Sequence, residues 1–172
     1  EYGASTPRPA GKAAITTRSP KPLPCSFTIA CARRGESFLG TPFAPDAPMI
    51  QADRQQLRQL FLNLLTNASD AMPEGGTLTI RVGVEGKQVV IEINDTGVGI
   101  APEDLPKVME TFFTTKPEGK GTGLGLAICR RVVQEHGGVI DIASEGVPGK
   151  GATVRIVLLA KNNSNGAFLK ET

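Results

Sequence analysis

Three polar clusters occur in a fixed order between residues 63 and 125, and each lies at the edge or end of an apolar run. The first places Asn63, Asn67 and Asp70 in a run with helical spacing. The second (DTGVG, residues 95–99) directly follows the alternating stretch VVIEIN, and the third (GKGTGLG, residues 119–125) opens another helical run. Short glycine patterns recur by chance, but three clusters in this order are a strong signal. Together they describe one pocket.

The proline content and the periodic spacing of apolar residues divide the chain into three parts. Eight of the thirteen prolines lie within the first 48 residues, which show little periodicity apart from the short runs SFTIACA and ESFLG. We expect residues 1–47 to be a Pro-rich arm or linker, with room for one strand near residues 26–32. Residues 48–160 are predicted to form the folded domain, and residues 161–172 a tail.

The folded domain is predicted to begin with a helix. Asp53 is a favourable N-cap, and Gln56 stands in capping-box spacing behind it. Apolar residues then keep helical period until Pro73 and the following glycine pair end the run. The stretches TLTIRVGV and KQVVIEIN alternate apolar and polar residues on either side of a Glu-Gly turn, which predicts a β-hairpin.

Residues 96–122 form a long loop rich in Gly, Pro and Lys, with at most one short helical turn near residues 103–110. A loop of this length is typical of a lid or binding loop. A second helix is predicted from Leu124 to about Glu135, followed by the strands VIDIAS and ATVRIVLLA. This order predicts an α/β (α+β) two-layer sandwich. We expect a mixed, mostly antiparallel sheet of about five strands, covered on one face by about three helices, with a long lid.

Composition excludes several classes of function. A chain of 172 residues holds one domain with a real core, and its net charge of +2 gives no argument for nucleic acid or anionic membrane. No stretch approaches the roughly 20 apolar residues of a membrane span. The three cysteines lack paired metal-ligand spacing, and we expect a cytoplasmic location. Because the sequence lacks an initiator Met, we expect it to be a piece of a longer chain.

The first cluster could hold a metal ion beside phosphates. On a helix, Asn63, Asn67 and Asp70 fall within about 60° of arc, with their centre roughly 110° from that of the apolar stripe. The helix can therefore pack one side on a sheet and present an amide–amide–carboxylate row along its edge. An amide oxygen is a suitable ligand for a Mg²⁺ that keeps several waters and phosphate oxygens. The alternative is an ordinary solvated polar face.

The second cluster could bind a base. Asp95 ends an otherwise apolar strand, where a buried carboxylate needs a partner. It can accept a hydrogen bond from the exocyclic amine of adenine, while Gly97 and Gly99 let the backbone turn closely around the ring. The alternative is a common Asp-Thr-Gly turn at the end of a strand.

The third cluster could bind phosphate. Its glycines lead directly into a helix, whose free N–H groups and positive dipole end suit phosphate oxygens. The pattern differs from the Walker loop because the lysine precedes the glycines. Lys116 and Lys120 place two cations nearby, although Lys120 could equally be an exposed loop residue.

Two aromatic residues and one histidine complete the notable features. Phe112 and Phe113 are adjacent within the polar loop, and we expect one to join the core and the other to anchor the lid or meet a partner. His136 is the sole histidine and precedes Gly137 and Gly138 at a helix end, where a capping or surface role is favoured over catalysis.

Four segments resemble the boxes of a known family. NLLTNASDAMPEGG, NDTGVGI, FFTTK and GKGTGLGLAICRRVVQEHGG are similar to the N box, first glycine box, F box and second glycine box of the sensor histidine kinase catalytic domain. That is the ATP-binding domain of two-component systems, within the Bergerat-fold (GHKL, HATPase_c) superfamily. The resemblance covers about residues 48–160 and is specific as a set. Within this family, the residues of the four motifs look most like those of the nitrogen-regulation branch.

The resemblance implies a role for each matching residue. Asn67 would coordinate Mg²⁺, with Asn63 nearby, Asp70 and Lys116 close to the phosphates, and Asp95 on the adenine amine. The implied catalytic residues are Asn63, Asn67 and Lys116. The implied residues for ATP (or ADP) are Asn63, Asn67, Asp70, Asp95, Gly97, Gly99, Ile100, Thr115, Lys116, Lys120, Gly121, Thr122, Gly123, Leu124 and Gly125.

Asn63 also bears on the reaction. Gyrase, mismatch-repair and chaperone members of the superfamily carry a water-activating glutamate at the matching position. An amide cannot take a proton from water, so the resemblance implies phosphoryl transfer rather than fast hydrolysis.

The acceptor is expected on another segment, because full-length kinases carry an acceptor histidine on an upstream two-helix domain and residues 1–48 show no such pattern. The implied partners are that dimerisation domain and, through it, a response regulator receiver domain. We expect no nucleic acid and no membrane contact by this segment, and a homodimer only in the full-length protein, which could be membrane-anchored. Two alternatives stay open: a stand-alone anti-sigma-factor serine kinase of the same fold, and a non-catalytic nucleotide-binding regulator.

Overall fold

An antiparallel sheet carries two helices, and a long loop joins its two halves. The computed structural model describes residues 25–31, 36–40, 50–117, 119 and 121–160. Within these residues the order of elements is β1 (Cys25–Cys31), β2 (Glu36–Gly40), α1 (Arg54–Ala71), β3 (Gly76–Glu85), β4 (Gln88–Asp95), α2 (Gly125–Glu135), β5 (Val139–Ser144) and β6 (Ala152–Leu159). The strands form one sheet in the order β2-β1-β3-β4-β6-β5.

The predicted cap begins α1. The Asp53 carboxylate accepts hydrogen bonds from the N–H groups of Gln55 at 2.7 Å and Gln56 at 3.0 Å. These backbone N–H groups, with that of Gln56 the larger influence, lower the pKa of the Asp53 carboxyl. Leu60, Leu64 and Ala68 follow at intervals of four, so they share one buried face of the helix.

Strand register places the alternating apolar residues of the β3–β4 hairpin on a common face. Ile80 pairs with Ile93 and Val82 with Ile91. Gly86 has a φ of 63°, which the tight turn between the strands requires and which glycine adopts at little cost. These residues pack with both helices in one core, whose buried members are Leu60, Leu64, Ala68, Met72, Leu78, Val89, Ile91, Ile93, Cys129, Val132, Val133, Ile156 and Leu158.

The two helices are also joined at one end through His136. Its Nε2 accepts a hydrogen bond from the Asp53 N–H at 2.9 Å, and its Nδ1 lies 2.7 Å from the Val132 carbonyl oxygen. This pattern fits a neutral ring with its proton on Nδ1. The histidine therefore satisfies the C-terminal end of α2 and ties it to the start of α1, as a capping role predicts.

The α/β fold class is confirmed, with three differences of detail. The described residues contain two helices rather than about three, and six strands rather than about five. Every neighbouring strand pair is antiparallel, because the β5–β6 hairpin places β6 rather than β5 beside β4. Between residues 101 and 112 the chain makes successive turns, which agrees with the expected loop containing at most one short helical turn.

Two strands come from the Pro-rich segment, where the sequence left room for one. β1 pairs with β3 and β2 pairs with β1, so both extend the sheet. The division of the chain at residue 48 stays a prediction, and the predicted tail at 161–172 lies outside the described residues.

A row of alternating charges crosses the sheet face opposite the helices. Arg81, Glu92, Arg155 and Asp141 are successive neighbours across β3, β4, β6 and β5. The Arg155 guanidinium donates to Glu92 at 2.6 Å and to Glu85 at 3.1 Å. Glu92 is only 8% exposed, and the Arg155 guanidinium compensates the burial of its carboxylate.

Arg155→Met should lower the free energy of unfolding by at least about 2 kcal/mol, because it leaves the buried Glu92 carboxylate without its cation. The double variant Glu92→Leu/Arg155→Met should be less destabilised than the single one, since it removes both charges. Urea unfolding followed by circular dichroism measures both. Arg131→Met, which breaks an exposed pair with Glu135, is the control and should cost less than about 1 kcal/mol. Equal losses in the single and double variants would contradict the prediction.

Candidate functional site

The buried carboxylate of Asp95 organises one end of the candidate site. Asp95 is 7% exposed and ends β4. Its Oδ1 accepts hydrogen bonds from the Gly97 N–H at 2.8 Å and the Ala152 N–H at 3.3 Å. Within the described part of the chain, Oδ2 accepts no hydrogen bond. One oxygen is therefore anchored while the other can accept from a ligand.

Glycine is required where residues 97–99 approach their neighbours. A Cβ at Gly97 would lie 2.5 Å from the Ala71 carbonyl oxygen, to which the Val98 N–H also donates at 3.0 Å. Gly99 has a φ of 75°, a left-handed conformation that disfavours side chains. The second cluster thus lies directly against the end of α1.

The turn between β5 and β6 forms the other side of this region. The Gly97 carbonyl oxygen accepts from the Gly149 N–H at 2.9 Å and the Gly151 N–H at 3.2 Å. Gly151 itself has no room for a side chain, because its Cβ would collide with the backbone oxygen of Asp95. The sequence predicted a Gly/Pro turn at residues 146–151 but assigned none of its residues to the site, although its glycines were a visible signal.

The row on α1 meets the third cluster and the lid. Asn63 Nδ2 donates to the Gly125 carbonyl oxygen at 3.4 Å, and a Cβ at Gly125 would lie 3.7 Å from Asn67 Nδ2. Lys116 Nζ donates to Asn67 Oδ1 at 3.3 Å and to Asp70 Oδ2 at 2.6 Å. The structure therefore brings together five of the predicted residues, which come from three separate segments of the chain.

The start of α2 offers unoccupied backbone donors. Leu124 occupies the N-cap position and makes no side-chain capping bond, so the first N–H groups of the helix lack that partner. The Thr122 hydroxyl accepts from the Leu124 N–H at 3.4 Å. An uncapped helix start beside Asn67 and Lys116 has the charge and geometry to receive an anion.

The remaining predicted residues lie along the same lid. The Ile100 N–H donates to the Ser144 hydroxyl at 2.9 Å. Gly121 lies against Thr114, whose Oγ1 would be 2.5 Å from an added Cβ, and Thr115 is exposed. Gly123 has a φ of 65°. Lys120 lies outside the described residues.

The two lid phenylalanines differ in exposure, although neither belongs to the hydrophobic core that we expected one of them to join. Phe112 is 76% exposed and has a φ of 69°, an uncommon and costly conformation for a non-glycine residue. Its N–H donates to the Gly123 carbonyl oxygen at 2.9 Å, which ties the F-box segment to the end of the lid. Phe113 is half-buried. The exposed ring of Phe112 is thus held outward by the backbone.

A separate cavity of about 280 Å³ contains none of the predicted site residues. It lies between residues 105–109 of the lid, α2 and β5, and Arg130 and Gln134 of α2 are among the residues that line it. The candidate site lies instead along the edge of α1, from the glycines that pack on its end to the start of α2, and this region is called the groove below. Cys129 is buried nearby in the core, and burial raises the pKa of its thiol to about 11, so it is unsuited to nucleophilic chemistry.

The donors of the groove fit a magnesium ion that is shared with phosphates. No cluster of three or more His, Cys, Asp or Glu that could hold a metal occurs among the described residues. However, Asn67 Oδ1 and Asp70 Oδ2 both point at one cation, the Lys116 ammonium. A hard oxygen pair of this kind suits Mg²⁺ that takes its other ligands from phosphate and water.

Residues 52–162 match the model of the histidine kinase-, DNA gyrase B- and HSP90-like ATPase family, and the chain belongs to that family. It is 42% identical over 119 residues to Sporulation kinase C of Bacillus subtilis, covering 69% of this chain and 27% of that protein. It is 43% identical over 124 residues to Sensor kinase CckA of Brucella abortus, covering 63% and 13%. The family expected from the four motifs is confirmed, while the nitrogen-regulation branch stays a prediction.

Solved structures agree with this assignment. The mycobacterial sensor histidine kinase MprB superposes with a TM-score of 0.58 at 33% identity, covering 65% of this chain and 75% of that one. Full-length ShkA in complex with AMPPNP superposes with a TM-score of 0.57 at 34% identity, covering 66% and 24%. The chain spans about a quarter or less of the two curated relatives. In the part of the chain described here, no helix is long and apolar enough to cross a membrane.

Lys116→Met should loosen the lid, because Lys116 links it to Asn67 and Asp70 on α1. We expect amide hydrogen exchange in residues 112–117 of the nucleotide-free protein to accelerate roughly two- to fivefold, as suits a partly exposed ion pair worth about 1 kcal/mol or less. Lys107→Met, at an exposed position of the same loop, is the matched control and should leave the exchange rates unchanged. Equal exchange in both variants would show that Lys116 does not hold the lid.

Proposed function

We propose that residues 48–160 are the ATP-binding catalytic domain of a two-component sensor histidine kinase. The domain would bind Mg-ATP and donate the γ-phosphoryl group to a histidine on a separate dimerisation domain. The main support is the arrangement along α1, whose end packs on the glycine beside a half-anchored buried carboxylate and whose amide–carboxylate row contacts the lid lysine and the uncapped start of α2. Family membership and the named sensor kinases among the relatives support the same assignment.

The adenine end would be formed by Asp95 and the glycines beside it. Asp95 Oδ2 is free to accept the exocyclic amine, because Oδ1 is already used by two backbone N–H groups. Gly97 and Gly99 would let the ring approach the backbone, and the Ile100 N–H is already engaged by Ser144. A carboxylate oxygen in this place would favour a base that has a hydrogen-bond donor at that position over a base that has an acceptor there.

The phosphate end would lie between α1, the lid and the start of α2. Residues 121–125 supply backbone N–H groups, and Lys116 and Lys120 supply positive charge. Lys116 would leave Asn67 and Asp70 and move to the phosphate oxygens. The ammonium that Asp70 pairs with in this structure would then be available to bind the substrate. Mg²⁺, held by Asn67 with Asp70 nearby, would neutralise the charge that builds up on the transferred group.

Asn63 favours transfer over hydrolysis. Its amide donates to the Gly125 carbonyl oxygen and holds α1 against the start of α2, which is a positioning role. An amide has no basic site to accept a proton from water, so water near the γ-phosphoryl group would not be activated there. The groove would therefore position ATP and leave the nucleophile to a protein partner.

The partner would dock where Phe112 is exposed. Its ring projects from a strained backbone position next to the phosphate end, and an exposed aromatic held in this way is suited to contact another protein surface. We infer that the partner is the dimerisation domain with its acceptor histidine, which would pass the phosphoryl group to a response regulator receiver domain. The setting would be cytoplasmic, and the homodimer would form only in the full-length protein.

Phosphoryl transfer is the direct test of this function. We expect the chain, mixed with a purified dimerisation-domain fragment of a sensor histidine kinase and γ-labelled ATP, to give an acid-labile and base-stable phosphoprotein with negligible release of free phosphate. Asn67→Ala should lower the transfer rate by roughly a hundredfold or more. Acid-stable phosphoserine on a partner would instead favour the anti-sigma-factor kinase. ATP binding with no acceptor labelled would favour the non-catalytic regulator.

Asp95→Asn should raise the dissociation constant for ATP roughly tenfold or more, as measured by isothermal titration calorimetry. The new amide can keep its oxygen on the Gly97 and Ala152 N–H groups, which turns its NH₂ group toward the adenine amine, another donor. The melting temperature should change little for the same reason. Asp141→Asn, at an exposed position on β5, is the control. An unchanged affinity in Asp95→Asn would remove the adenine assignment.

A further inference from the structure

We propose that Ser144 is a positioning residue that sets the adenine end of the groove. Its hydroxyl joins the first glycine box to the β5–β6 turn through a closed set of hydrogen bonds. The inference rests on the proposed ATP site and adds to it a residue outside all four motifs. Ser144 would act on the base through its neighbours rather than by touching it.

The hydroxyl of Ser144 uses its full hydrogen-bonding capacity. Its Oγ accepts from the Ile100 N–H at 2.9 Å and from the Gly146 N–H at 3.2 Å. It donates to the Gly151 carbonyl oxygen at 2.7 Å. A serine hydroxyl has one donor and two acceptor sites, so all three are occupied by backbone groups, one from the end of the first glycine box and two from the β5–β6 turn.

These bonds continue directly to the base-binding carboxylate. The residue after Gly151 is Ala152, whose N–H donates to Asp95 Oδ1. Gly151 also donates its own N–H to the carbonyl oxygen of Gly97, two residues from Asp95. Ser144 therefore contacts two groups at once. One is the peptide between Gly151 and Ala152, whose N–H binds the Asp95 carboxylate, and the other is the N–H of Ile100, the residue after Gly99.

Close packing makes the arrangement sensitive to small shifts. A Cβ at Gly99 would lie 3.0 Å from Ser144 Oγ and 3.3 Å from the Gly151 carbonyl oxygen. Loss of the hydroxyl leaves the Ile100 N–H and the Gly151 carbonyl without their partner in a half-buried region. The least costly response is a movement of residues 99–100 or 151–152, and either movement displaces the surface that would meet adenine.

The bond to Gly146 alone is an ordinary turn between residues two apart, which would only stabilise the fold. The bonds to Ile100 and Gly151 distinguish the positioning role, because they span 44 and 7 residues and meet beside the glycine box. A stabilising role would change the binding of every nucleotide alike. A positioning role would change discrimination between bases.

The experiment compares ATP and GTP binding to the wild type, Ser144→Ala and Ser144→Thr by isothermal titration calorimetry, with melting temperatures measured in parallel. For Ser144→Ala we expect the ATP dissociation constant to rise roughly tenfold while that for GTP changes less than threefold. Ser144→Thr, which retains the hydroxyl, should restore most of the preference for ATP. Thr66→Ala, which removes an exposed hydroxyl on α1, should leave both affinities unchanged.

Two results would overturn the positioning role. One is an ATP affinity in Ser144→Ala within twofold of the wild type. The other is a parallel loss of ATP and GTP binding in Ser144→Ala that follows the fall in melting temperature. In that case, Ser144→Thr would recover binding of both nucleotides only to the extent that it recovers stability. Failure of the wild-type chain to bind ATP would overturn the proposed function itself, so the two failures are distinguishable.

Discussion

The carboxylate of Asp95 at the end of β4 is the interaction on which the arrangement of the groove depends. A charge that is 7% exposed must be compensated, and two backbone N–H groups from residues 97 and 152 do so at one oxygen. This requirement draws the glycine box and the start of β6 together around the strand end. The sheet supplies rigidity, because β4 lies between β3 and β6. The same bonds that satisfy the charge leave its second oxygen available to a ligand.

The other end of the groove depends on charge at the edge of α1. The helix α1 buries one face in the core. Along its edge, Asn67 and Asp70 contact the lid residue Lys116, and Asn63 contacts the carbonyl oxygen of Gly125 at the start of α2. An amide–carboxylate row beside a lysine ammonium and uncapped N–H groups would stabilise negative charge on a bound phosphate. This arrangement fits the proposed phosphoryl transfer to a partner, because positioning and charge neutralisation are the main requirements of that chemistry.

Features with a local cause were predictable. The cap at Asp53, the period of α1 and the hairpin around Gly86 each depend on residues close in sequence, and the structure has them where the pattern places them. The sequence predicted different roles for the two lid phenylalanines without assigning them, and only the structure showed that Phe112 is the exposed one, with a φ of 69°. The six-stranded order was not predictable, because pairing of β1 with β3 and β6 with β4 joins segments far apart in the chain.

The sequence by itself determined the family and the residues that we propose to meet the nucleotide. Those residues occur in short motifs. In each motif, residues close in sequence supply both a particular backbone conformation and a particular side-chain group. Only the tertiary structure showed what holds them in place. Ser144 reaches Ile100 across 44 residues, Ala152 reaches Asp95 across 57, and His136 reaches Asp53 across 83. Contacts at such separations depend on how the sheet and helices pack, and no local pattern of residues specifies them.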